Sequence, residues 1–472
     1  MTHCARAQVT LDPSPFPSLA TPADAVVGDV AGFGPGGPDG IPDLVIAYPQ
    51  LPGTQLGGVA VLVGTPGEGQ CGLQPFALYT GKGVDTPVAV EIGDFTGDGT
   101  PEIVFANRGD FSGVNSVRFL GIDASAPEPL QLRQRPTVPI ARDRRISDLA
   151  VISLADQLRR TSRQTLLILS SGSADGTASA ATFDTVNDDW DVCDIDVCDD
   201  PDSFDPIDPD GAGALLGEGF ASTSGADDKV VVASNTGGMP DTFPTETFGV
   251  ASDPGEVQAR DLNGDGFPDI ALVSTAAGSA TVLLNVAAPA SPGGRSFGAP
   301  ITIDLRDTAA GPDPAPSSIA AADLDDDGDL DLAVVSTAVD GSRAVRLVRN
   351  LLIETGSFGL DTAVTIAQQP PGVPVLVRPF DADGSSFAVD DDLIVLTEPP
   401  SPRGSGASAG VVLCSREDCP ADVNGDGQLT PADFSAWIAA FNAGDPAADQ
   451  NGDGLITPSD FSAWIANYNA GC

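Results

Sequence analysis

The feature that most constrains the fold is a repeated pattern of an apolar strand, an acidic loop and a second apolar strand. It is clearest in "AVEIGDFTGDGTPEIVFA", "VQARDLNGDGFPDIALVS" and "IAAADLDDDGDLDLAVVS", with fainter copies around Asp29 and Asp381. The aspartates that open these loops lie roughly 60 residues apart, and the longer interval between Asp94 and Asp261 has room for two acid-poor copies. Seven copies of a short-stranded unit predict a mainly β protein, a seven-bladed β-propeller in which each copy forms one antiparallel sheet.

The acidic loops place oxygen-bearing side chains at positions one, three, five and nine. This spacing in a tight, glycine-containing turn directs several oxygens to one point, which suits calcium. The sequence therefore predicts Ca²⁺ as the cofactor, with a role in holding the sheets rather than in chemistry. The predicted ligands are Asp261, Asn263, Asp265 and Asp269; Asp323, Asp325, Asp327 and Asp331; Asp94, Thr96, Asp98 and Glu102; and, in a loop of altered length, Asp29, Asp39 and Asp43.

The C-terminal residues contain a second duplication, "ADVNGDGQLTPADFSAWIAAF" and "ADQNGDGLITPSDFSAWIANY". Each copy has the ligand spacing of an EF-hand-type loop, and each loop leads into a helix that begins with Thr-Pro. The two sequences predict a small all-α domain with two further calcium sites. The predicted ligands are Asp422, Asn424, Asp426, Gln428 (through its backbone), Thr430 and Asp433, and then Asp449, Asn451, Asp453, Leu455 (through its backbone), Thr457 and Asp460.

These motifs resemble two known families. The strand-loop-strand units, over roughly residues 20 to 415, resemble the FG-GAP or VCBS repeats of integrin α-like propellers, which implies calcium in the loops. The duplicated loop-helix unit at 419–472 resembles a dockerin, which implies a cohesin-like or cell-envelope partner. By this resemblance the partner-contacting residues are Pro431, Ala432, Trp437, Pro458, Ser459 and Trp464. For Trp437 and Trp464, packing between the two helices is an equally weighted alternative.

The remaining organisation follows from cysteines and composition. Residues 1–20 are expected to be an N-terminal segment that retains the end of a signal peptide, 21–415 the propeller, and 184–210 an acidic insertion on one blade. The cysteine spacing predicts disulfides and an oxidising compartment. The expected bridges are Cys419–Cys472 and Cys193–Cys198, with Cys71 and Cys414 as a further candidate pair.

The charge and the scarce residue types exclude several function classes. A net charge of −45 argues against nucleic acid and against anionic membranes as partners. No apolar run is long enough to span a membrane. The single histidine is His3, so a histidine-dependent catalytic site cannot be built in the folded body.

Three functions remain open at this stage. The first is an exported, monomeric, non-catalytic binding module, anchored to a scaffold or cell surface through its C-terminal domain. The second is a tethered polysaccharide-degrading enzyme, a glycoside hydrolase or lyase that uses carboxylates on the propeller face. The third is adhesion to a glycan or protein ligand through the propeller face, with the acidic segment near Trp190 as part of the contact.

Overall fold

The structure of the protein is a computed structural model. It describes residues 11–31, 38, 40–54, 56–64, 73–81, 83–95, 99–108, 115–122, 130–133, 145–156, 161–171, 177–184, 189–196, 201–208, 219–234, 243–288, 294–305, 315–324, 328–337, 342–352, 357–361, 364–365, 373–380, 392–398, 408–415, 421, 423, 431–443, 448, 450 and 456–470.

Antiparallel four-stranded sheets make up nearly all of the described chain. Apart from the first strand, β1 (Leu11–Ser18), each strand joins a sheet with its neighbours in sequence. The first four sheets contain β2 (Asp24–Gly28), β3 (Asp43–Tyr48), β4 (Gly58–Gly64) and β5 (Leu73–Tyr79); β6 (Pro87–Gly93), β7 (Glu102–Asn107), β8 (Ser116–Ile122) and β9 (Leu130–Arg133); β10 (Arg145–Asp156), β11 (Thr161–Ser171), β12 (Thr177–Asp184) and β13 (Asp189–Asp196); and β14 (Pro201–Ile207), β15 (Gly219–Ser224), β16 (Lys229–Ala233) and β17 (Thr245–Gly249).

Three further four-stranded sheets follow, so that the described strands form seven in all. A hairpin of β21 (Asn285–Ala287) and β22 (Arg295–Phe297) lies within the fifth sheet's sequence. The last three sheets contain β18 (Pro254–Arg260), β19 (Asp269–Ser274), β20 (Ser279–Leu283) and β23 (Ile301–Asp304); β24 (Ala315–Ala322), β25 (Asp331–Thr337), β26 (Arg343–Val348) and β27 (Val364–Thr365); and β28 (Val373–Phe380), β29 (Asp392–Glu398), β30 (Ser408–Ser415) and β1.

The sheets follow one another around a closed ring. The first strands of the sheets (β2, β6, β10, β14, β18, β24 and β28, called the inner strands below) each contact the next in this order, and β28 contacts β2. Buried hydrophobic clusters fill the junctions between neighbouring sheets: one includes Tyr48 and Ile394, and another includes Val61 and Phe105. This arrangement is a β-propeller, and the predicted fold is confirmed at that level.

The ring is closed by a strand from the N-terminal region, which the sequence had placed outside the propeller. β1 pairs with β30 from Leu11↔Ser415 to Ser18↔Ser408, so the last sheet is built from both ends of this region. The boundary predicted at residue 21 is therefore wrong. Prolines at 13, 15 and 17 suit this edge position. Alternate residues of a strand point their backbone N–H groups to the same side, so these three prolines remove donors only from the unpaired side of β1.

The acid-rich segment 184–210 is not an insertion, and that prediction is also wrong. Its residues form β13, the last strand of the third sheet, and β14, the inner strand of the fourth. Phe204 and Ile207 of β14 are buried against the neighbouring sheets. The segment is polar because β13 is the outermost strand of its sheet and β14 carries Asp205 to the centre of the ring.

Two helices follow the last sheet, α1 (Pro431–Ala443) and α2 (Pro458–Ala470). They are the two copies of the predicted loop-helix unit, and each begins at the proline after the threonine, as the sequence predicts. Among the described residues, no helix has the length and apolar character needed to cross a membrane.

Candidate functional site

The acidic loops join the inner strand to the second strand in four of the sheets. In each, the first aspartate accepts a hydrogen bond from a glycine amide near the end of the loop, and the φ angles of these glycines lie between 83° and 93°. Glycine adopts this left-handed conformation at little cost, so the turn can close on the carboxylate. The four pairs are Asp29 with Gly40 (2.6 Å), Asp94 with Gly99 (2.8 Å), Asp261 with Gly266 (2.7 Å) and Asp323 with Gly328 (2.8 Å).

The last acid of each loop begins the second strand and is buried. These residues are Asp43, Glu102, Asp269 and Asp331. In the first sheet the carboxylate of Asp43 accepts hydrogen bonds from the amides of Val30 (2.9 Å), Ala31 (2.7 Å) and Gly64 (3.0 Å). The buried acid therefore joins the loop to the third strand of its own sheet.

Burial of these acids changes their proton affinity. It raises the pKa of Asp43 to about 6 and that of Asp269 to about 7, against the hydrogen bonds from backbone amides, which lower both values. The negative charges of Asp261 and Asp265 contribute to the rise of the pKa of Asp269. The loop of the fifth sheet thus gathers negative charge that the amide groups offset only in part.

That loop is described at every predicted ligand. Asp261 accepts hydrogen bonds from the amides of Asp265 (3.2 Å) and Gly266 (2.7 Å), and Asn263 accepts one from the amide of Asp265 (3.0 Å). Arg295 lies beside the loop, with its guanidinium 2.7 Å from Asp265 Oδ2 and 3.6 Å from the centre of the Phe267 ring. One basic side chain therefore offsets part of the loop's charge.

The donor chemistry of this loop fits a hard divalent cation. Its side-chain donors are carboxylate and amide oxygens, the ligands that calcium prefers, and the carboxylates repel one another without a cation. The residues that would hold the ion are Asp261, Asn263, Asp265 and Asp269. Across the described ranges, no three acidic, cysteine or histidine side chains already share the geometry of a metal site. A bound ion would thus draw the loop oxygens closer together.

Several predicted site residues lie outside the described residues, and so do most of the predicted disulfides. The ligands concerned are Asp39, Thr96, Asp98, Asp325, Asp327, Asp422, Asn424, Asp426, Gln428, Thr430, Asp449, Asn451, Asp453 and Leu455. Cys71, Cys198, Cys419 and Cys472 lie outside as well, and Cys193 and Cys414 are described only through their strands. The calcium and disulfide assignments at these positions stay predictions.

The two C-terminal helices are related by a local two-fold arrangement. The indole of Trp437 donates a hydrogen bond to the carbonyl of Ala448 (3.3 Å), and that of Trp464 donates one to Ala421 (3.1 Å). Ala421 and Ala448 are fully buried and directly precede the two loops, so each helix is fixed to the loop of the other copy. Asp433 and Asp460, the last predicted ligands, are buried as well.

The burial of the tryptophans decides between their two predicted roles. Trp437 and Trp464 are only 5% and 6% exposed, and their rings pack together between the helices. Their assignment as partner contacts is therefore corrected to one in packing. Pro431, Pro458 and Ser459 are exposed, as expected of contact residues, and the side chain of Ala432 lies outside the described residues. The large exposed apolar side chains of the pair are Ile438, Phe461 and Ile465.

A group of charged residues that the sequence did not single out lines a cavity of about 260 Å³ among the inner strands. Six of the seven inner strands contribute to its wall. Its charged residues are Asp24, Glu91, Asp148, Asp205, Glu256, Arg260 and Arg378. The sequence signal that would have found them is a charged residue within an otherwise apolar inner strand, as in "AVEIG" and "VLVRPF".

Most of these side chains join neighbouring inner strands. The carboxylate of Asp24 accepts a hydrogen bond from the amide of Val90 (2.9 Å) on the next inner strand. Three other carboxylates, those of Asp148, Asp205 and Glu256, each accept a hydrogen bond from an amide of the inner strand that follows their own. Four carboxylates therefore link neighbouring inner strands around the ring. Their partners are the amides of Phe204 (3.2 Å), Ala259 (2.7 Å) and Ile319 (3.0 Å).

Burial controls the protonation of these acids. It raises the pKa of Asp148 to about 8 and that of Glu91 well above its usual range, and nearby Asp24 raises both further. The pKa of Asp205 is raised by burial as well, although Arg260 counteracts this. The pKa of Arg378 is raised by Glu256 and Asp24 against the effect of its burial, so its positive charge is fixed.

Comparison with known proteins supports the repeat assignment in one part of the chain. Residues 261–334, which hold the acidic loops of the fifth and sixth sheets, match the family described as "FG-GAP-like repeat". None of the curated proteins matches the chain. Among solved structures, one titled "Structure of Dos1 propeller" aligns over 79% of this chain and 74% of its own, with 12% sequence identity and a TM-score of 0.45. The chain, a β-propeller by the arrangement of its sheets, contains FG-GAP-like repeat sequence over residues 261–334.

Proposed function

We propose that this chain is a calcium-stabilised, seven-bladed propeller that serves as a non-catalytic binding or adhesion module. In this proposal it is exported and held on a scaffold or cell surface by its C-terminal loop-helix pair. The observation that carries the proposal is the shared closure of four acidic loops, each with its first aspartate on a glycine amide and its last acid buried.

The loop geometry supports a structural role for calcium. Three of the buried acids, Asp43, Glu102 and Asp269, accept hydrogen bonds from backbone amides of their loops, and Asp43 also accepts one from the third strand. An ion held by the same carboxylates would therefore stabilise the sheet edge. A ligand that binds only the folded state raises stability according to its concentration and affinity. Calcium would therefore be a component of the fold and would take no part in a reaction.

The calcium proposal is tested by thermal unfolding of the full chain with calcium and with excess chelator. We expect chelation to lower the melting temperature by many degrees and Asp265→Ala to lower the number of bound ions by about one. Asp227→Ala, which removes a surface acid outside the loops, is the matched control and should leave the number of bound ions unchanged and the melting temperature nearly so. An unchanged melting temperature in chelator would overturn the proposal.

We assign no reaction to the chain, because four of the five cavity carboxylates link the inner strands through backbone amides. Groups that hold the ring together are poorly placed to move protons during catalysis. Incubation of the purified chain with a glycan panel, read for both binding and cleavage, separates a binding module from the polysaccharide-degrading alternative. Calcium-dependent cleavage of any glycan would overturn the non-catalytic assignment.

The anchoring role rests on the duplicated helices and their exposed surface. Ile438 and Ile465 occupy equivalent positions in α1 and α2, and both are 41% exposed. A partner could therefore meet the same apolar contact in either of two orientations. The test is a calcium-dependent binding assay of the full chain against a recombinant cohesin domain. Ile438→Asp or Ile465→Asp alone should be tolerated, and the double variant should lose binding by more than about tenfold.

A further inference from the structure

The central cavity contains more acidic than basic side chains, and the ion pairs among them are unevenly placed. Arg378 forms ion pairs with Asp24 (2.8 Å) and Glu256 (2.6 Å), and Arg260 lies 3.4 Å from Asp205. Glu91 and Asp148 form no ion pair with an arginine within the described residues. They lie on β6 and β10, which are neighbours in the ring, so these two carboxyl groups share one side of the cavity.

Glu91 differs from the other four cavity acids in what it contacts. Its carboxylate accepts one hydrogen bond, from the amide of the next residue, Ile92, at 3.2 Å. It makes no link to a neighbouring inner strand among the described residues. Burial raises its pKa well above the usual range, and a cation beside it would favour the charged form. Its carboxyl group is thus available for a ligand.

On the wall of the cavity that β18 forms, Gln258 and Arg260 provide hydrogen-bond donors. Gln258 is only 7% exposed, and its Oε1 accepts the amide of Ala321 at 3.0 Å. Its Nε2 has no partner in the described part of the chain, although the side chain lines the cavity. A ligand in the cavity could therefore accept a hydrogen bond from it. Arg260, on the same strand, bonds Asp205 and Ala259 through one terminal nitrogen, and its other guanidinium donors have no partner among the described residues.

We propose that the central cavity binds a small zwitterion of amino-acid type. Its ammonium group would meet Glu91 and Asp148, and its carboxylate would meet Gln258 and Arg260. The volume of about 260 Å³ lies just below the ~300–1,000 Å³ that is usual for small-molecule sites, which limits the ligand to a modest size. A single metal ion fits less well, because four of the five carboxylates already accept hydrogen bonds from amides of neighbouring inner strands. This inference goes beyond the calcium loops and does not depend on them.

The test is isothermal titration of the full chain with 4-aminobutyrate and the twenty standard amino acids. n-Butylamine and butyrate serve as probes that each lack one charge of 4-aminobutyrate. We expect at least one zwitterion to bind with a dissociation constant below about 1 mM. Its affinity should be about tenfold higher than that of an analogue that lacks one of its two charges, such as n-butylamine or butyrate for 4-aminobutyrate. Glu91→Gln should weaken this binding by about tenfold or more, and Asp227→Asn, a surface control, should leave it unchanged.

Three outcomes would overturn the proposal: no zwitterion binding in that range, equal binding of the amine alone, or unchanged affinity in Glu91→Gln. Glu91 links no strands, so its variant should fold, and a melting temperature near that of the wild type verifies this. Titrations in calcium and in chelator at a temperature below both melting transitions keep the result separate from the calcium proposal, since the expected affinity is the same in both.

Discussion

The guanidinium of Arg378 lies 2.8 Å from the carboxylate of Asp24, and this ion pair joins the last inner strand to the first. The same guanidinium donates to the carbonyl of Ala25 (2.8 Å) and forms an ion pair with Glu256 on the fifth sheet. One side chain thus connects three sheets at the place where the ring closes. The N-terminal strand β1 closes the ring at its outer edge, and Arg378 closes it at the centre.

We expect Arg378→Met to lower stability strongly. Removal of one partner from a buried ion pair typically costs about 3–5 kcal/mol, because the remaining charges lose their compensation. Here two carboxylates would lose it together. Lys229→Met is the matched control, since Lys229 lies 2.8 Å from Asp227 near the surface, where an ion pair contributes about 0.2–1 kcal/mol. Calorimetry should give a melting temperature several degrees lower for the first variant, and equal losses would contradict a central role for Arg378.

The stability of the protein should fall as the pH rises from about 4 to about 8, in part because of Asp148. In the unfolded chain this group loses its proton near its ordinary value of 3.8, whereas burial raises the folded pKa to about 8. The folded state therefore binds more protons in this window, and the free energy of unfolding decreases with pH. Above about pH 8 both states are deprotonated and this contribution becomes constant.

The measurement is the melting temperature as a function of pH for the wild type and for Asp148→Asn. The variant should show a shallower decline, because its amide does not titrate, while Glu91 and Asp205 maintain part of the slope. Asp227→Asn should retain the full slope. Parallel curves for the wild type and Asp148→Asn would mean that this carboxyl group does not take up a proton on folding.

The left-handed loop glycines can be tested at Gly266. Its φ angle is +83° and no atom lies within 4 Å of an added Cβ, so substitution by alanine introduces backbone strain without a clash. We expect Gly266→Ala to cost about 1–2 kcal/mol of stability. Gly249→Ala is the control, because Gly249 also has open space around a Cβ but lacks the positive φ. A similar effect of both substitutions would show that the loop tolerates another backbone conformation.

The sequence predicts the repeated strands well, because their alternation of apolar runs and acidic turns is a local property. The loops at Asp94, Asp261 and Asp323 are found from spacing alone, and even the longer Asp29 loop closes on Gly40 in the expected way. Each of these features depends on residues close together in the chain. Local patterns therefore suffice for the loops and for most sheet boundaries.

Features that depend on distant parts of the chain could not be predicted in this way. β1 is rich in proline, which argues against a strand unless the segment is known to pair at the edge of a sheet. β14 lies in an acidic segment, and its role as an inner strand depends on Phe204 and Ile207 meeting other sheets. The link between Asp24 and Arg378 spans nearly the whole propeller, so no spacing in the sequence indicates it.

Arg295 allows a direct test of whether the loop of the fifth sheet binds calcium. Its guanidinium offsets the charge of Asp265 at 2.7 Å, so Arg295→Gln leaves the loop more negative. We expect the variant to bind calcium several-fold more tightly and to be less stable in chelator than the wild type. Competition titration against a calcium chelator measures the affinity, with Arg343→Gln as a control for loss of a positive charge elsewhere. Unchanged or weaker calcium binding in Arg295→Gln would exclude Asp265 as a ligand.

The reciprocal contacts of Trp437 and Trp464 predict that the two halves of the C-terminal pair contribute equally to its stability. Each indole donates one hydrogen bond to the alanine before the other loop and is nearly fully buried. Trp437→Phe and Trp464→Phe remove that donor and leave a buried carbonyl unsatisfied, which costs about 1–3 kcal/mol in either case. Ile438→Ala is the control, since this residue is 41% exposed and its substitution should change stability less than either tryptophan variant. Hydrogen exchange of α1 and α2 in the full chain reports the effect locally. Loss of protection in both helices for either tryptophan variant would follow from their shared core, whereas loss confined to the mutated helix would show that the two halves fold independently.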